Sequence, residues 1–372
     1  MCKIFKITIF SLAIFFALPV YAAPSITGVN GVISDGNQIE ISGDEFGTTG
    51  PSILLFDNFE RGINEIPIAI GENSATIGQW SESAISTVNG YPVYSNANKV
   101  SGNLAFRANA ISGTQSVVTY LPENGQQKLF ISWWMLLPEG NNIPGEQIEE
   151  PTDLPINWKT IWVTGEDTNH DDQVIPTILP GSTPPYGISS FIVGNNSLYH
   201  KWITLDFLKG RWMRLWCYID GGTGNNDGTM QHYELTSSGV QERANDVNVN
   251  VLNAGGIYER IILNGYNRAT ENCYPTFDDV YISYGDHARA RIEIGNEPSY
   301  NNCTNLTIIT PTAWSDSSVT ATVRQGSFGS GEQAYLFVVD SNGNASQGHP
   351  ITFAGDSGDT TPPANPSGLI VS

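Results

Sequence analysis

The 372-residue chain is predicted to be all-β on three observations. Apolar residues almost nowhere recur at the three-and-four spacing of an amphipathic helix. Short runs rich in Val, Ile, Thr, Trp and Tyr alternate instead with clusters of Gly, Asn, Asp, Ser and Pro, and 38 glycines with 21 prolines supply the turns. The two ends of the chain each carry only part of a sandwich pattern, separated by a long β-rich interval, which predicts one β-sandwich nested inside another.

The first residues have the form of a secretory leader. Lys3 and Lys6 precede an apolar run from Ile7 to Val20, and cleavage is expected after Ala22, giving a signal peptide over residues 1–22. The run is too short for a membrane span, Cys2 lies before it rather than after it, and no later stretch is long enough to cross a bilayer. The expected mature protein is exported: secreted, extracellular, periplasmic or at the cell surface. In the full chain 17 Lys and Arg stand against 37 Asp and Glu, a formal net charge of -20, and loss of the leader lysines makes the mature protein more acidic. Such a balance argues against a nucleic-acid partner, although a local basic patch can still bind a polyanion. Of the cysteines left after cleavage, Cys217 sits on the apolar side of a strand pattern. Cys273 and Cys303 flank the stretch from Phe277 to Asn296 in polar loops, where an oxidising compartment would favour a disulfide between them.

From Pro24 the chain reads PSITGVNGVISDGNQIEISGDEFG. Strands are expected at Ser25 to Val29 and Gln38 to Ile41, around a turn at Asp35-Gly36, with a Gly-bounded loop from Gly43 to Gly50. This resembles the opening of an IPT/TIG domain, whose Ile-x-Gly-x-x-Phe-Gly turn is matched by Ile41, Gly43, Phe46 and Gly47. Leu306 to Phe353 is similar to the closing strands of the same family: Trp314-Ser315-Asp316 opens a strand, Ala334 to Val339 and Ile351 to Phe353 finish it, and Gly343 turns between them. The resemblance implies an immunoglobulin-like sandwich built from residues 23–54 and 292–355. Residues 356–372 read as a Pro-rich linker and tail.

Residues 55–291 are far too many for a loop and are expected to form a domain of their own. The interval opens with LLFDNFERG, ends with TFDDVYISYG, and carries strands such as LFISWWMLLP and RWMRLWCYID. It resembles the concanavalin A-like lectin/glucanase sandwiches, or jelly rolls. That superfamily includes lectins, glycosidases, polysaccharide lyases and adhesive modules, so fold alone does not choose among them.

Period-two alternation over Arg211 to Asp220 puts Met213, Leu215, Cys217 and Ile219 on a core face, and Trp212, Arg214, Trp216 and Tyr218 on the other. In a jelly roll the second face is expected to line a concave groove, where aromatic planes stack on sugar rings and an Arg forks onto a carboxylate or sulfate. Trp158 and Trp162, on one side of a neighbouring strand pattern, would extend it. Of the adjacent Trp133 and Trp134, at most one joins the groove. The groove set is therefore Trp158, Trp162, Arg214, Trp216 and Tyr218; the competing reading packs these tryptophans under loops or against the immunoglobulin-like module.

Were the chain a lyase of uronic-acid polymers, Tyr199, His200 and His232 would be the acid and base, with Arg214 neutralising the carboxylate. The Gln-Ile/Val-His motif of jelly-roll alginate lyases is broken, since Ile175 follows Gln173-Val174, and the Glu-x-Asp-x-x-Glu run of retaining glucanases is absent. Asp57, Glu60 and Asp279, from the two ends of the interval, could share one structural Ca2+, as members of the superfamily often do. The acidic run at 166–173 reads as a solvated loop. The expected function is binding of an extracellular or cell-surface polysaccharide. The alternatives are a polysaccharide lyase using the same groove and a structural or adhesive protein that docks on other surface proteins.

Overall fold

The computed structural model describes residues 22–85, 90–108, 115–122, 125–141, 158–165, 173–179, 186–192, 199–266 and 273–355. The expected leader up to residue 21, the acidic run at 166–172 and the tail from 356 lie outside them.

Two antiparallel sheets face each other across the larger core. One runs in the order β12 (Tyr199–Phe207), β11 (Tyr186–Ile192), β10 (Gln173–Leu179), β9 (Trp158–Thr164), β16 (Arg260–Tyr266), β7 (Gln115–Tyr120) and β4 (Glu82–Ile85). The other runs β15 (Gly239–Val249), β14 (Gly228–Thr236), β13 (Met213–Asp220), β8 (Lys128–Leu136), β17 (Thr276–Tyr284), β6 (Ala105–Arg107) and β5 (Val93–Ser95), with β3 (Ser52–Asp57) also on β17. The alternation expected in β13 holds. Met213, Leu215, Cys217 and Ile219 enter the core beside Met135, Trp133, Ile131 and Leu129, their register partners on β8. Trp133 is fully buried there and Trp134 faces outward, as adjacent residues on a strand must. In β17 a bulge at Asp278 and Asp279, with Asp279 at φ 44°, adds one residue to the alternation. Phe277, Val280 and Ile282 therefore all point inward, and Tyr281 points out.

Both ends of the chain enter a third sheet, ordered β1 (Ser25–Asn30), β2 (Gln38–Asp44), β20 (Ser318–Thr322), β19 (Leu306–Trp314), β18 (Arg291–Gly295), β21 (Gln333–Val339) and β22 (His349–Thr352). N- and C-terminal segments meet where β2 pairs with β20, from Gln38↔Thr322 to Ser42↔Ser318. Strand β19 serves two ladders: Leu306 to Ile309 pair with β18, and Thr310 to Trp314 with β20. Residues of both ladders, among them Ile39, Ile41, Val319, Ile292, Leu336 and Val338, share one core, so the sheet folds over on itself.

The turn motif near the N-terminus has a physical reason. A Cβ on Gly43 would lie 2.0 Å from the Ser25 carbonyl oxygen and 2.4 Å from the Phe46 ring, so only glycine lets that ring into the core. The turn is closed from the far end of the chain. Phe46 N–H donates to the Asp316 carbonyl at 3.0 Å, and Trp314 Nε1 donates to the carbonyls of Phe46 and Gly47 at 3.2 and 3.0 Å. Trp314 thus ends β19 and Ser315-Asp316 sits in the following turn, rather than opening a strand as expected.

The outer face of β13, β8 and β17 is covered by this terminal sheet. Phe56, Phe130, Trp216, Leu235 and Tyr281 pack against Leu306, Ile308 and Phe337. Within the apolar seam Arg214 Nη1 pairs with Glu293 Oε2 at 2.6 Å, both side chains being essentially inaccessible. Arg291 Nε reaches Glu293 Oε1 at 2.5 Å, and the Tyr300 hydroxyl donates to the same oxygen at 2.9 Å. Burial alone would raise the Glu293 carboxyl, but the two guanidinium groups outweigh it and hold it below the usual carboxylate range.

The expected disulfide is not formed. Cys273 lies in the larger core and Cys303 in the seam, each a free buried thiol. Sequence proximity to one junction placed them near each other in the chain, whereas the two residues serve different packing layers. Glu293→Ala would strand two buried arginines, and stability should fall by about 3–5 kcal/mol, read from urea denaturation; a loss below about 1 kcal/mol would show that the seam does not depend on this carboxylate.

Candidate functional site

Because the terminal sheet lies over the middle of that outer face, the open groove expected there does not exist. Arg214 and Trp216 are 1 % and 2 % exposed. Trp216 stacks on Tyr233, with centroids 5.5 Å apart and planes 8° from parallel, inside the structure. The alternation chose the face correctly but says nothing about what covers it. Trp162 lies on β9, in the opposite sheet, with the Lys159 ammonium 4.0 Å from its ring centroid, and Trp158 is on the same strand. The five groove residues therefore do not share one surface.

A cleft of about 630 Å³ opens where the seam ends. Trp216, Tyr218 and Tyr233 form its wall on the β13–β14 side, Arg289 comes from the segment leading into β18 and Arg291 from the first position of that strand, and the segments at 299–301 and 343–347 form the far rim. Tyr218 is the one expected groove residue with an accessible side chain here. The Arg289 guanidinium carbon lies 4.9 Å from the Tyr218 ring centroid, a cation–π distance. Gly343, at φ +86°, brings its backbone so close that a Cβ would fall 1.9 Å from Arg289 Nη2. The Tyr233 hydroxyl donates to Glu242 Oε2 at 3.1 Å. Burial, then nearby carboxylates, raises both tyrosine hydroxyls above their ordinary value, so they stay protonated donors.

The lyase set is dispersed. Arg214 is in the seam, while His232, opposite Cys217, points into the larger core with its ring edge-on to Trp133 at 6.4 Å. Neither ring nitrogen of His232 has a partner among the described residues, and burial pulls its pKa down to about 4. Tyr199 and His200 begin β12, at the edge of the opposite sheet, paired with Ile192 and Phe191. His232 therefore lies on the other face of its sheet from Arg214, and Tyr199 and His200 belong to a strand of the other sheet.

Each expected metal carboxylate serves as a loop clasp. Asp57 is buried and accepts the Trp80 indole N–H at 2.7 Å and the Phe59 amide at 2.9 Å; burial raises it to about 7. Glu60 accepts the amides of Asn103 and Leu104, both at 2.7 Å, and Asp279 accepts the Ser101 hydroxyl at 3.2 Å. Among the described residues no group of three or more His, Cys, Asp or Glu side chains could hold a metal ion.

Sequence reasoning missed Arg289, Tyr233 and the loop at 343–347. The signal was present in ARARIEIG, where arginines at 289 and 291 and the glutamate at 293 fall at alternate positions on one side of the entry to β18. Its partner surface is distant in sequence.

No family model matches the chain, and no curated protein matches it by sequence. Solved structures give remote likenesses, all β. Domain 4 of AbnA, an extracellular arabinanase from Geobacillus stearothermophilus in complex with arabinotriose, is 16% identical over 64% of this chain and 94% of its own, at a TM-score of 0.38. The binding domain of botulinum neurotoxin serotype D is 12% identical over 77% and 72%, at 0.39. The catalytic domain of a glycoside hydrolase family 131 protein from Coprinopsis cinerea is 15% identical over 63% and 95%, at 0.37. Likeness at this level carries no function across, which leaves the chain's own geometry to indicate it.

His232 should act on stability rather than activity. Its folded pKa of about 4 lies below the ordinary 6.5, so the unfolded chain binds the proton first as pH falls. Stability is therefore lost between about pH 6.5 and 4, by an amount on the order of 3 kcal/mol. Asp57, raised to about 7, runs the other way: its contribution is present at low pH and lost as pH rises from 3.8 through 7. His232→Leu should thus be more stable than wild type at pH 4 relative to pH 7, in paired denaturation curves; equal pH slopes would refute the assignment.

Proposed function

We propose that the chain is an exported glycan-binding protein, and that its ligand lies in the cleft at the end of the seam. The observation that carries this reading is the cleft's composition: aromatic walls at Tyr218 and Tyr233, the guanidiniums of Arg289 and Arg291, the Glu242 carboxylate, and a rim of amide and hydroxyl side chains from Ser299, Asn301, Asn344 and Gln347. Apolar ring faces beside many neutral hydrogen-bonding groups match a sugar, which offers C–H faces and hydroxyl edges. The two facing sheets fit a concanavalin A-like jelly roll. The pairing of β2 with β20, and the Gly43–Phe46 turn closed by Trp314, support its insertion in an immunoglobulin-like unit of the IPT/TIG type. The leader pattern supports export.

A polysaccharide lyase is the weaker reading, because its acid, base and cation would have to act from the core, the opposite sheet and the seam at once. Retention on a panel of neutral and acidic polysaccharides tests the proposal. The wild type should bind at least one polymer without releasing unsaturated uronate, and Tyr218→Ala should weaken that binding about tenfold, near 1.4 kcal/mol. Absence of binding across the panel, or an unchanged Tyr218→Ala, would overturn it; ultraviolet-absorbing product would establish the lyase instead.

A further inference from the structure

Three arginines gather at the seam and its cleft, and among the described residues only two of them are ion-paired. Glu293 is shared by Arg214 and Arg291. Arg289, half-buried on the Tyr218 ring, forms no ion pair with a described carboxylate. Asp340, whose charge acts on Arg289, and Glu242, which lines the same cleft, already accept other donors. Asp340 accepts the amides of Asn342 and Asn344 at 2.9 and 2.8 Å and the Asn344 side-chain amide at 2.9 Å, and Glu242 takes the Tyr233 hydroxyl and the Asn245 amide. In a chain of net charge -20, an arginine could readily have been given a carboxylate. A guanidinium that is partly desolvated, held over a ring and left with free N–H donors costs stability, and such a cost is kept where a ligand supplies the missing charge.

We propose that Arg289 is the anchor for an anionic substituent, a carboxylate or a sulfate, on a sugar unit bound in this cleft. The inference rests on the glycan reading above and narrows it to acidic polysaccharides. Tyr218 backs the guanidinium, Gly343 leaves room for it, and the amide-bearing rim takes the sugar hydroxyls. Arg291 and Arg214, tied to Glu293, supply background positive potential.

The experiment compares wild type, Arg289→Gln and Arg289→Lys on three soluble polymers: dextran, which is neutral, polygalacturonate, which carries carboxylates, and dextran sulfate. The wild type should bind one of the two anionic polymers at least tenfold more tightly than dextran, with affinity falling as salt rises. Which anionic polymer is preferred identifies the substituent. Arg289→Gln should remove that preference and leave residual binding equal on all three, and Arg289→Lys should recover only part of it, lacking the planar fork. Because the charge is unpaired, Arg289→Gln should melt at or above the wild-type temperature. An anionic-to-neutral ratio unchanged in Arg289→Gln, or a wild type that prefers dextran, overturns the anchor while leaving glycan binding intact. A lowered melting temperature with equal loss on every polymer assigns Arg289 a structural role and also overturns it. Failure of the wild type to bind any glycan sinks both readings.

Discussion

One carboxylate holds the two halves of this molecule in register. Glu293 sits between Arg214, from the central sheets, and Arg291, from the terminal sheet, with no access to water. Around it the seam is apolar, and an apolar seam alone is tolerant of sliding, since leucine and phenylalanine contacts are non-directional. Two guanidinium groups on the two oxygens of one carboxylate, with Tyr300 sharing the oxygen that Arg291 binds, are directional. A buried pair of this kind adds little net stability against an apolar replacement, and its contribution lies in which packing is allowed. The strands that carry the chain in and out sit beside it: β3 and β17 are paired from Val280↔Asp57 to Tyr284↔Ser52, and β18 follows directly.

The site follows from the same constraint. Since the terminal sheet covers Trp216 and stops short of Tyr218, the aromatic row on β13 is divided into a buried part that cements the seam and an accessible part that faces a cleft. At the seam two arginines share one glutamate, and Arg289 adds an unpaired guanidinium at the cleft of a protein whose bulk charge is negative.

Local pattern carried much of this in the sequence. Alternation in Arg211 to Asp220 named the core residues, and the Gly43-x-x-Phe46 turn, with Trp314 far downstream, pointed to two distant segments of one sheet. The misreadings share one cause, which is that strand periodicity specifies a face and not its neighbour. Arg214 and Trp216 have the composition of a sugar groove and also that of a polar-studded interface, and the choice depends on residues 306–337 folding back over them. His232 looked reactive because histidine usually is, yet its register partner Cys217 is a core residue, so the same alternation that buried Cys217 also buried His232. Asp57, Glu60 and Asp279 were grouped because they flank the interval, whereas each had a nearer donor in its own loop or in residues 80–104.

The division of chemistry between core, seam and cleft bears on whether the molecule binds or transforms its ligand. Proton transfer to or from a sugar needs an acid and a base within hydrogen-bond reach of one carbon or oxygen, with at least one of them titrating near neutrality. Carboxyls that burial raises toward neutrality, Asp57 and Asp279 among them, serve as clasps, one on an indole and an amide and the other on the Ser101 hydroxyl, while His232 faces a tryptophan in the core and is pulled away from neutrality. In the cleft the tyrosines are raised away from neutrality, and Glu242 is exposed and tied to Tyr233. What the cleft retains is an unpaired guanidinium, aromatic walls, the Glu242 carboxylate and neutral hydrogen-bonding groups.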